Sequence, residues 1–418
     1  MNWIPKWKAF DPMLMGLSLL ATLLGIFIIY DAGFARNIVS GQGPIPREFI
    51  SQCIGAVVAL IVGAYLTRVP VRWWREKSRV LMGIATVAVF AVAVPGLGYV
   101  QSGAKRWLNV PIFHPQPSEF AKVAVVLFLA GWFAARKIRK APKKNENWAA
   151  KLDSVIARGW PMLLVLAVAM KIEREPDLGT ASVVLMIMFG MFVLGGVSKK
   201  SLAMIAAAGV AGLAMLAVMQ PYRLERITNH PHRWDKGNVD DIGYQTTYSE
   251  SAMAAGFVVG VGPGAGAAKH VLPARMTDFI MATIGEEFGV IGSLCVIALM
   301  GAITWRLFTL GQDQLARSHT EEDAQKKADH RFAYLVLSGL AVWIGVQSAV
   351  NVVMANGTAP PIGIPLPFFS AGGSSLIALW IAVALANRCA FTGQVVEEVG
   401  SEGRRLGWRN RRARLPRA

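Results

Sequence analysis

The stretch "TDFIMATIGEEFGVIGSLCVIALMGAITWRLF" (residues 277–308) joins a long apolar run to three carboxylates near its beginning. A helix rises about 1.5 Å per residue, so the run from 279 to 308 would be about 45 Å long. The hydrocarbon of a bilayer is only about 30 Å thick. The run therefore predicts a membrane-spanning helix that projects beyond the lipid, with Asp278 at its mouth and Glu286 and Glu287 deeper.

Apolar runs of this kind recur along the whole chain. Of the 418 residues, 54% are hydrophobic and 17% are charged, whereas a soluble domain carries about 25% charged residues. The composition predicts an all-α, polytopic integral membrane protein, a single transmembrane domain over 1–418 with about ten helices. The ten runs lie at about 12–31, 49–67, 79–95, 117–135, 159–172, 178–197, 201–219, 279–308, 332–355 and 373–390.

The positive charges are distributed unevenly between the two sides. With both termini cytoplasmic, about 30 of the 43 Lys and Arg residues fall in inner segments, which is the positive-inside bias. We therefore expect both termini inside, and the largest outer loop at 220–277, between helices 7 and 8. The basic tail 391–418 is expected to lie on anionic lipid, with RNA binding as the alternative.

Other sequence features exclude some classes of protein. The three cysteines are scattered, so neither a disulfide framework nor a zinc site is expected. The first apolar run has no cleavage site after it, which indicates a retained helix. "HPH" (230–232) offers too few ligands for a metal. The run "GFVVGVGPGAGAAK" (256–269) lacks the phosphate-loop Lys-Ser/Thr and is interpreted as a mobile outer loop.

Ionisable residues at membrane depth are candidate functional groups because burying them is costly. Glu119 and Lys122 are spaced i,i+3 on one helix face. They form either a structural ion pair or a site where Lys122 meets an anionic headgroup. Arg106, beside Trp107, is either an interface anchor or an anion-binding group.

Acidic residues open two of the predicted spans. Asp177 and Asp278 can cap their helices, yet capping leaves Glu286 without a role. Glu286 lies about 12 Å deeper than Asp278 and can line the same cavity. The two would approach as an acid–base pair only if the helix bent at Gly285.

Irregular backbone is predicted before the last span, in "GIPLPFFSAGGSS" (363–375). Two prolines break a helix there, and Gly372 to Ser375 restart it. Such backbone is tolerated at membrane depth where it lines a cavity or packs in protein. The free amides at Ser374 would favour an anion.

Four motifs in this order, "GAKRW…QPSEFAK", "EPDLGT", "TDFIMATIGEEFG" and "GIPLPFFSAGGSSL", resemble the SEDS family (shape, elongation, division and sporulation). The resemblance implies a fold similar to O-antigen ligases. It also implies polymerisation of peptidoglycan glycan strands from lipid II, beside a class B penicillin-binding protein in a division or elongation complex. By motif, Asp278 matches the essential carboxylate of the family, Glu119 and Lys122 its buried pair, and Arg106 its arginine before Trp.

The sequence departs from the family pattern in three places. Ala371 replaces a usual Tyr, Met276 replaces a usual His, and Arg47-Glu48 replaces a usual Arg-Gln. "QPYRLERI" and "GEEFG" favour the FtsW branch, which serves septal synthesis, whereas "GIPLPF" is closer to RodA, which serves elongation.

The expected chemistry makes Asp278 the general base for a sugar hydroxyl. Arg106 and Lys122 would face the departing undecaprenyl diphosphate, and a divalent cation (Mg²⁺ or Mn²⁺) held with Asp278 is an option. Asp177, Glu286 and Ser374 complete the predicted substrate-binding set. A lipid II flippase and a non-enzymatic scaffold remain the alternatives.

Overall fold

The computed structural model describes residues 10–39, 41, 43–101, 103–110, 114–135, 148–241, 243–272 and 274–393. Within them, ten long helices coincide with the ten predicted spans, and three short helices lie between the seventh and the eighth. The helices are α1 (Pro12–Val39), α2 (Arg47–Leu66), α3 (Val71–Ala91), α4 (Pro117–Ala134), α5 (Trp148–Glu173), α6 (Leu178–Leu194), α7 (Lys199–Val218), α8 (Pro221–Thr228), α9 (Tyr244–Gly256), α10 (Ala268–Val271), α11 (Ile280–Thr320), α12 (Ala324–Ala355) and α13 (Gly373–Ala390).

The architecture confirms the predicted all-α, multi-pass fold. Among the described residues, α1, α2, α4, α11, α12 and α13 are long and apolar enough to cross a membrane, and α6 is a shorter apolar helix. The sequence analysis did not predict the antiparallel hairpin of β1 (Gly98–Gln101) and β2 (Ala104–Leu108) between α3 and α4.

Helix α4 lies at the centre of the bundle. Of its residues, 89% are buried, and it packs against α3, α6, α12 and α13. A helix that is apolar on every side belongs in the core. Its two charged residues, Glu119 and Lys122, are therefore buried with it.

Successive helices alternate in direction, and four of the five connections at one end of the bundle, here called the long-loop end, are linked to one another. They are the hairpin, the α5–α6 turn, the α7–α11 segment and the α12–α13 loop, and side chains link them there. The α7–α11 segment corresponds to the large loop predicted at 220–277.

Ionic and polar contacts fasten the opposite end. The Asp11 amide donates to Asn387 Oδ1 at 2.8 Å, and the Asp11 carboxylate pairs with Arg306. Arg75 Nε lies 3.0 Å from Asp329 Oδ1. The predicted tail lies outside the described residues from position 394 onward.

Helix α11 is broken near the long-loop end. Gly289 has φ 64° and ψ −161°, a conformation open almost only to glycine. The bend thus lies four residues beyond Gly285, the position considered from the sequence. The 256–269 run packs on this break through backbone hydrogen bonds; its predicted mobility stays a prediction.

Candidate active site

Asp278 lies in the turn that precedes α11 at the long-loop end. Its carbonyl oxygen accepts a hydrogen bond from Asn351 Nδ2 at 2.8 Å, and the Thr277 carbonyl accepts one from Ser370 Oγ at 2.6 Å. The backbone is thus held by α12 and the α12–α13 loop. Among the residues that the structure describes, no hydrogen bond or ion pair engages the Asp278 carboxylate, which leaves it available to a substrate.

The surroundings of Asp278 favour a protonatable carboxyl. Burial, and then the nearby Asp177 carboxylate, raise the pKa of Asp278 to about 6, against the opposing effect of Arg106 and Arg226. A general base works best with a pKa near the operating pH. Asp278 therefore meets the electrostatic requirement for a base that takes a proton near neutrality.

Asp177, at the start of α6, lies near Asp278 and belongs to a small polar network. Its Oδ1 accepts the Thr180 amide at 3.0 Å, which confirms a helix-capping role. Its Oδ2 accepts from Gln116 Nε2 at 3.2 Å, and the Gln116 amide donates to Ser374 Oγ at 3.1 Å. Burial raises the pKa of Asp177, although Arg106 opposes the effect. The structure thus connects two predicted site residues, Asp177 and Ser374.

Arg106 extends from β2 to the turn before Asp177. Its Nε donates to the Glu175 carbonyl at 2.8 Å, and its Nη2 donates to the Pro176 carbonyl. These two bonds fix the α5–α6 turn. Anchoring at the membrane interface therefore does not account for all the contacts of Arg106, because this residue also holds the turn beside Asp278. The anion-binding role of Arg106 stays a prediction.

Glu119 and Lys122 form a buried ion pair inside the bundle. Lys122 Nζ lies 2.9 Å from Glu119 Oε1 and 3.3 Å from Gln347 Oε1. It also lies 5.1 Å from the ring centroid of Trp343. The Lys122 side chain is 1% exposed. The structural alternative accounts for all these contacts, and a substrate-binding role for either residue stays a prediction.

The structure does not bring Glu286 into hydrogen-bonding contact with Asp278. Glu286 instead accepts the amides of Ala267 (2.8 Å) and Ala268 (2.9 Å) at the start of α10. The next residue, Glu287, pairs with the fully buried Lys269 at 2.7 Å. Both glutamates therefore anchor the α7–α11 segment. These contacts give the two glutamates a structural role that the sequence analysis did not foresee, and the substrate-binding role of Glu286 stays a prediction.

One residue of the site, Arg226 on α8, was missed by the sequence analysis. Its Nη1 donates to the Pro361 carbonyl at 2.9 Å, whereas its buried Nε has no hydrogen-bond partner in the structure. Its charge lowers the pKa of Asp278. The sequence signal for Arg226 was the segment "QPYRLERI", which the sequence analysis used only to favour the FtsW branch.

The predicted divalent cation would need several oxygen ligands at the site. Across the described part of the chain, no three His, Cys, Asp or Glu side chains gather as a metal site. Asp278 and Asp177 supply two neighbouring carboxylates. Two carboxylates fit Mg²⁺ when substrate phosphates complete its coordination, so the divalent cation stays a prediction.

Membrane-spanning helices with carboxylates and arginines gathered at one end define an integral membrane protein with an enzyme-like polar site. The chain belongs to the cell cycle protein family of FtsW, RodA and SpoVE, whose profile matches residues 11–392. This confirms the resemblance found in the sequence motifs.

Curated relatives and a solved structure agree with this assignment. The chain is 31% identical to a probable peptidoglycan glycosyltransferase FtsW of Polynucleobacter necessarius, over 94% of this chain and 88% of the relative. It is 32% identical to a protein of the same name from Allochromatium vinosum, over 95% and 93%. One solved structure superimposes on this chain with a TM-score of 0.68 and 26% sequence identity, over 92% of this chain and 99% of that chain. Its description concerns the structural coordination of polymerization and crosslinking by a peptidoglycan synthase complex. The chain is accordingly a multi-pass membrane protein.

Proposed function

We propose that this chain is a peptidoglycan glycosyltransferase of the FtsW type, which polymerises glycan strands from lipid II for septal wall synthesis. The observation that carries the proposal is the Asp278 carboxylate: it has no partner among the described residues, its pKa is about 6, and it lies near two arginines. Family membership and the names of the curated relatives support the same reaction class.

In the proposed step, Asp278 accepts the proton of the acceptor sugar's C4 hydroxyl. That oxygen forms a bond to the anomeric carbon of the donor. The bond between this carbon and the diphosphate breaks, and undecaprenyl diphosphate departs with the electron pair. A positioned general base contributes roughly 10²–10⁴ to the rate.

The departing diphosphate gains negative charge, so cations aimed at it lower the barrier. Arg226 suits this role because its Nε lacks a hydrogen-bond partner in the structure. Arg106 shapes the wall on the other side through the turn at Glu175 and Pro176. Asp278 and Asp177 would hold a divalent cation, which would further neutralise the charge of the diphosphate.

The predicted orientation places the long-loop end outside the inner membrane, with both termini in the cytoplasm. Sugar acceptors lie on that outer side, and the positive-inside bias supports the same arrangement. We also propose a class B penicillin-binding protein as partner, supported by the likeness to a component of a peptidoglycan synthase complex.

The test is polymerisation of lipid II by the purified protein with its partner, scored as glycan chains on a gel. We expect Asp278→Asn to lose polymerisation by at least two orders of magnitude, as expected for removal of a general base. Asp240→Asn removes an exposed carboxylate from the same α7–α11 segment and should leave polymerisation unchanged. Full activity of Asp278→Asn, with partner binding intact, would refute the assignment.

A further inference from the structure

We propose that residues 257–261, "FVVGV", form a re-entrant segment that inserts into the acyl chains of the leaflet at the long-loop end. This inference concerns how the protein sits in lipid and does not depend on the proposed reaction. The sequence alone predicted a mobile outer loop for this segment.

Backbone hydrogen bonds fix the segment against the break in α11. The amides of Val261 and Gly262 donate to the carbonyls of Glu286 (2.9 Å) and Glu287 (3.1 Å). In return, the Phe257 and Val258 carbonyls accept the amides of the two residues that follow Gly289, at 2.9 and 3.2 Å. The segment therefore satisfies the polar groups that the break releases. Of the segment's own groups, these bonds satisfy the Val261 amide and the Phe257 and Val258 carbonyls. The Val258 and Val259 amides have no backbone partner among the described residues, which fits only a shallow insertion.

The side chains of the segment point away from the protein. Phe257 is 77% exposed and Val259 is 72% exposed. The flanking sequence from 251 to 268 contains no charged residue. Single exposed apolar residues are ordinary, but a contiguous uncharged apolar surface marks an interaction site.

This surface continues directly into the lipid-facing side of α11. The first large exposed hydrophobic residues that follow Gly289 in that helix are Val290, Ile291, Leu294 and Ile297. Since α11 is a membrane-spanning helix, these side chains contact acyl chains. Phe257 and Val259 extend the same surface at the level of Val290.

The depth of the segment follows from the charges of α11. Between Glu287 and Arg306 the helix has no ionisable side chain except Cys295. Val290 lies 16 residues before Arg306, which is about 24 Å at the helical rise. If Arg306 marks one boundary of the hydrocarbon, the other boundary lies about 30 Å away. Val290 then lies roughly 6 Å inside that second boundary, at the long-loop end. Phe257, bonded to Val290, shares that shallow depth.

The experiment places an environment-sensitive NBD fluorophore on a cysteine at position 259. Cys53 and Cys295 are first replaced by Ala; Cys389 is 1% exposed and can remain. The full-length protein is reconstituted at high lipid-to-protein ratio in phosphatidylcholine vesicles. Quenching by 5-doxyl phosphatidylcholine is then compared with quenching by aqueous iodide.

Two control positions define the quenching expected for a label in lipid and for a label in water. Leu294→Cys lies on the lipid face of α11, and Lys236→Cys lies on an exposed polar part of the α7–α11 segment. We expect the label at 259 to match 294, with several-fold stronger doxyl quenching and weaker iodide quenching than at 236. Val259 is largely exposed, so its replacement removes little packing.

Two results would overturn the proposal. Iodide quenching at 259 equal to that at 236 would place the segment in water. Protection from both quenchers, with 294 and 236 behaving as expected, would mean that protein covers the segment, such as a second copy of this chain.

Discussion

Asp278 has three charged neighbours, and together with burial they set the pH at which it can accept a proton. Asp177 raises its pKa, whereas Arg106 and Arg226 lower it, and the balance leaves the pKa at about 6. The local motif "GAKRW" pointed to Arg106, whereas Arg226 could not be assigned from local sequence, because a backbone carbonyl far away in the chain holds it. Arg226 contacts Pro361 across 135 residues.

The first prediction concerns the pH dependence of polymerisation. The base acts only when ionised, so kcat/KM should fall tenfold per pH unit below about 6 and level off above it. Arg226→Gln removes a charge that favours the carboxylate and should move this midpoint upward. Arg226→Lys keeps the charge and should leave the midpoint in place. Initial rates at subsaturating lipid II between pH 4.5 and 8 (about 3.5 units that include the pKa) measure it. An unchanged midpoint in Arg226→Gln would contradict the assignment.

Helix α4 shows why a charge pair can survive at the centre of a bundle. Glu119 and Lys122 pair with each other, and Gln347 and Trp343 surround the ammonium group. The i,i+3 spacing predicted the pair. The spacing could not predict how deeply the pair is buried, because its burial depends on four neighbouring helices that pack around α4.

We predict that Lys122→Met destabilises the protein by about 3–5 kcal/mol, because it leaves a buried carboxylate without its partner. The double variant Glu119→Leu/Lys122→Met should recover most of that loss, since an apolar pair of similar size is tolerated. Thermal unfolding in detergent measures both. Arg72→Met, which breaks the exposed Arg72–Glu76 pair, is the control and should leave the unfolding midpoint almost unchanged, because solvent screens an exposed pair. A double variant as unstable as Lys122→Met would contradict this account.

The broken helix α11 yields a second prediction at this scale. A Cβ on Gly289 would lie 2.5 Å from the Gly260 amide nitrogen, and its φ of 64° is unfavourable for any other residue. Gly289→Ala should therefore cost more than the 1–3 kcal/mol of backbone strain alone.

The control for Gly289→Ala lies in the same helix. A Cβ on Gly301 meets nothing within 4 Å, so Gly301→Ala should be neutral or slightly stabilising. Equal thermal midpoints for the two variants would show that the break in α11 is not required.

For the whole molecule, the sequence predicted the ten long helices because each apolar run must match the bilayer. It did not predict α8 to α10, the hairpin or the bend at Gly289. These features depend on contacts between distant segments, such as Glu286 with the start of α10. The candidate site divides in the same way: motifs supplied Asp278, Asp177 and Ser374, whereas folding supplied Arg226.

The orientation of the whole molecule is also open to measurement. In a background lacking Cys53 and Cys295, Lys236→Cys should react with a membrane-impermeant maleimide on intact spheroplasts. Lys326→Cys, exposed at the opposite end, should react only after permeabilisation. Labelling of position 326 alone in intact spheroplasts would invert the proposed topology.

The contact between Asp11 and Asn387 joins positions 376 residues apart. A ribosome adding 5–20 residues per second needs roughly 20–75 s to progress from one to the other. During that interval the first helix lies in the bilayer without α13, so the bundle closes only after α13 has been synthesised. Nascent chains arrested before α13 should consequently be open, protease-sensitive and accessible to insertion chaperones.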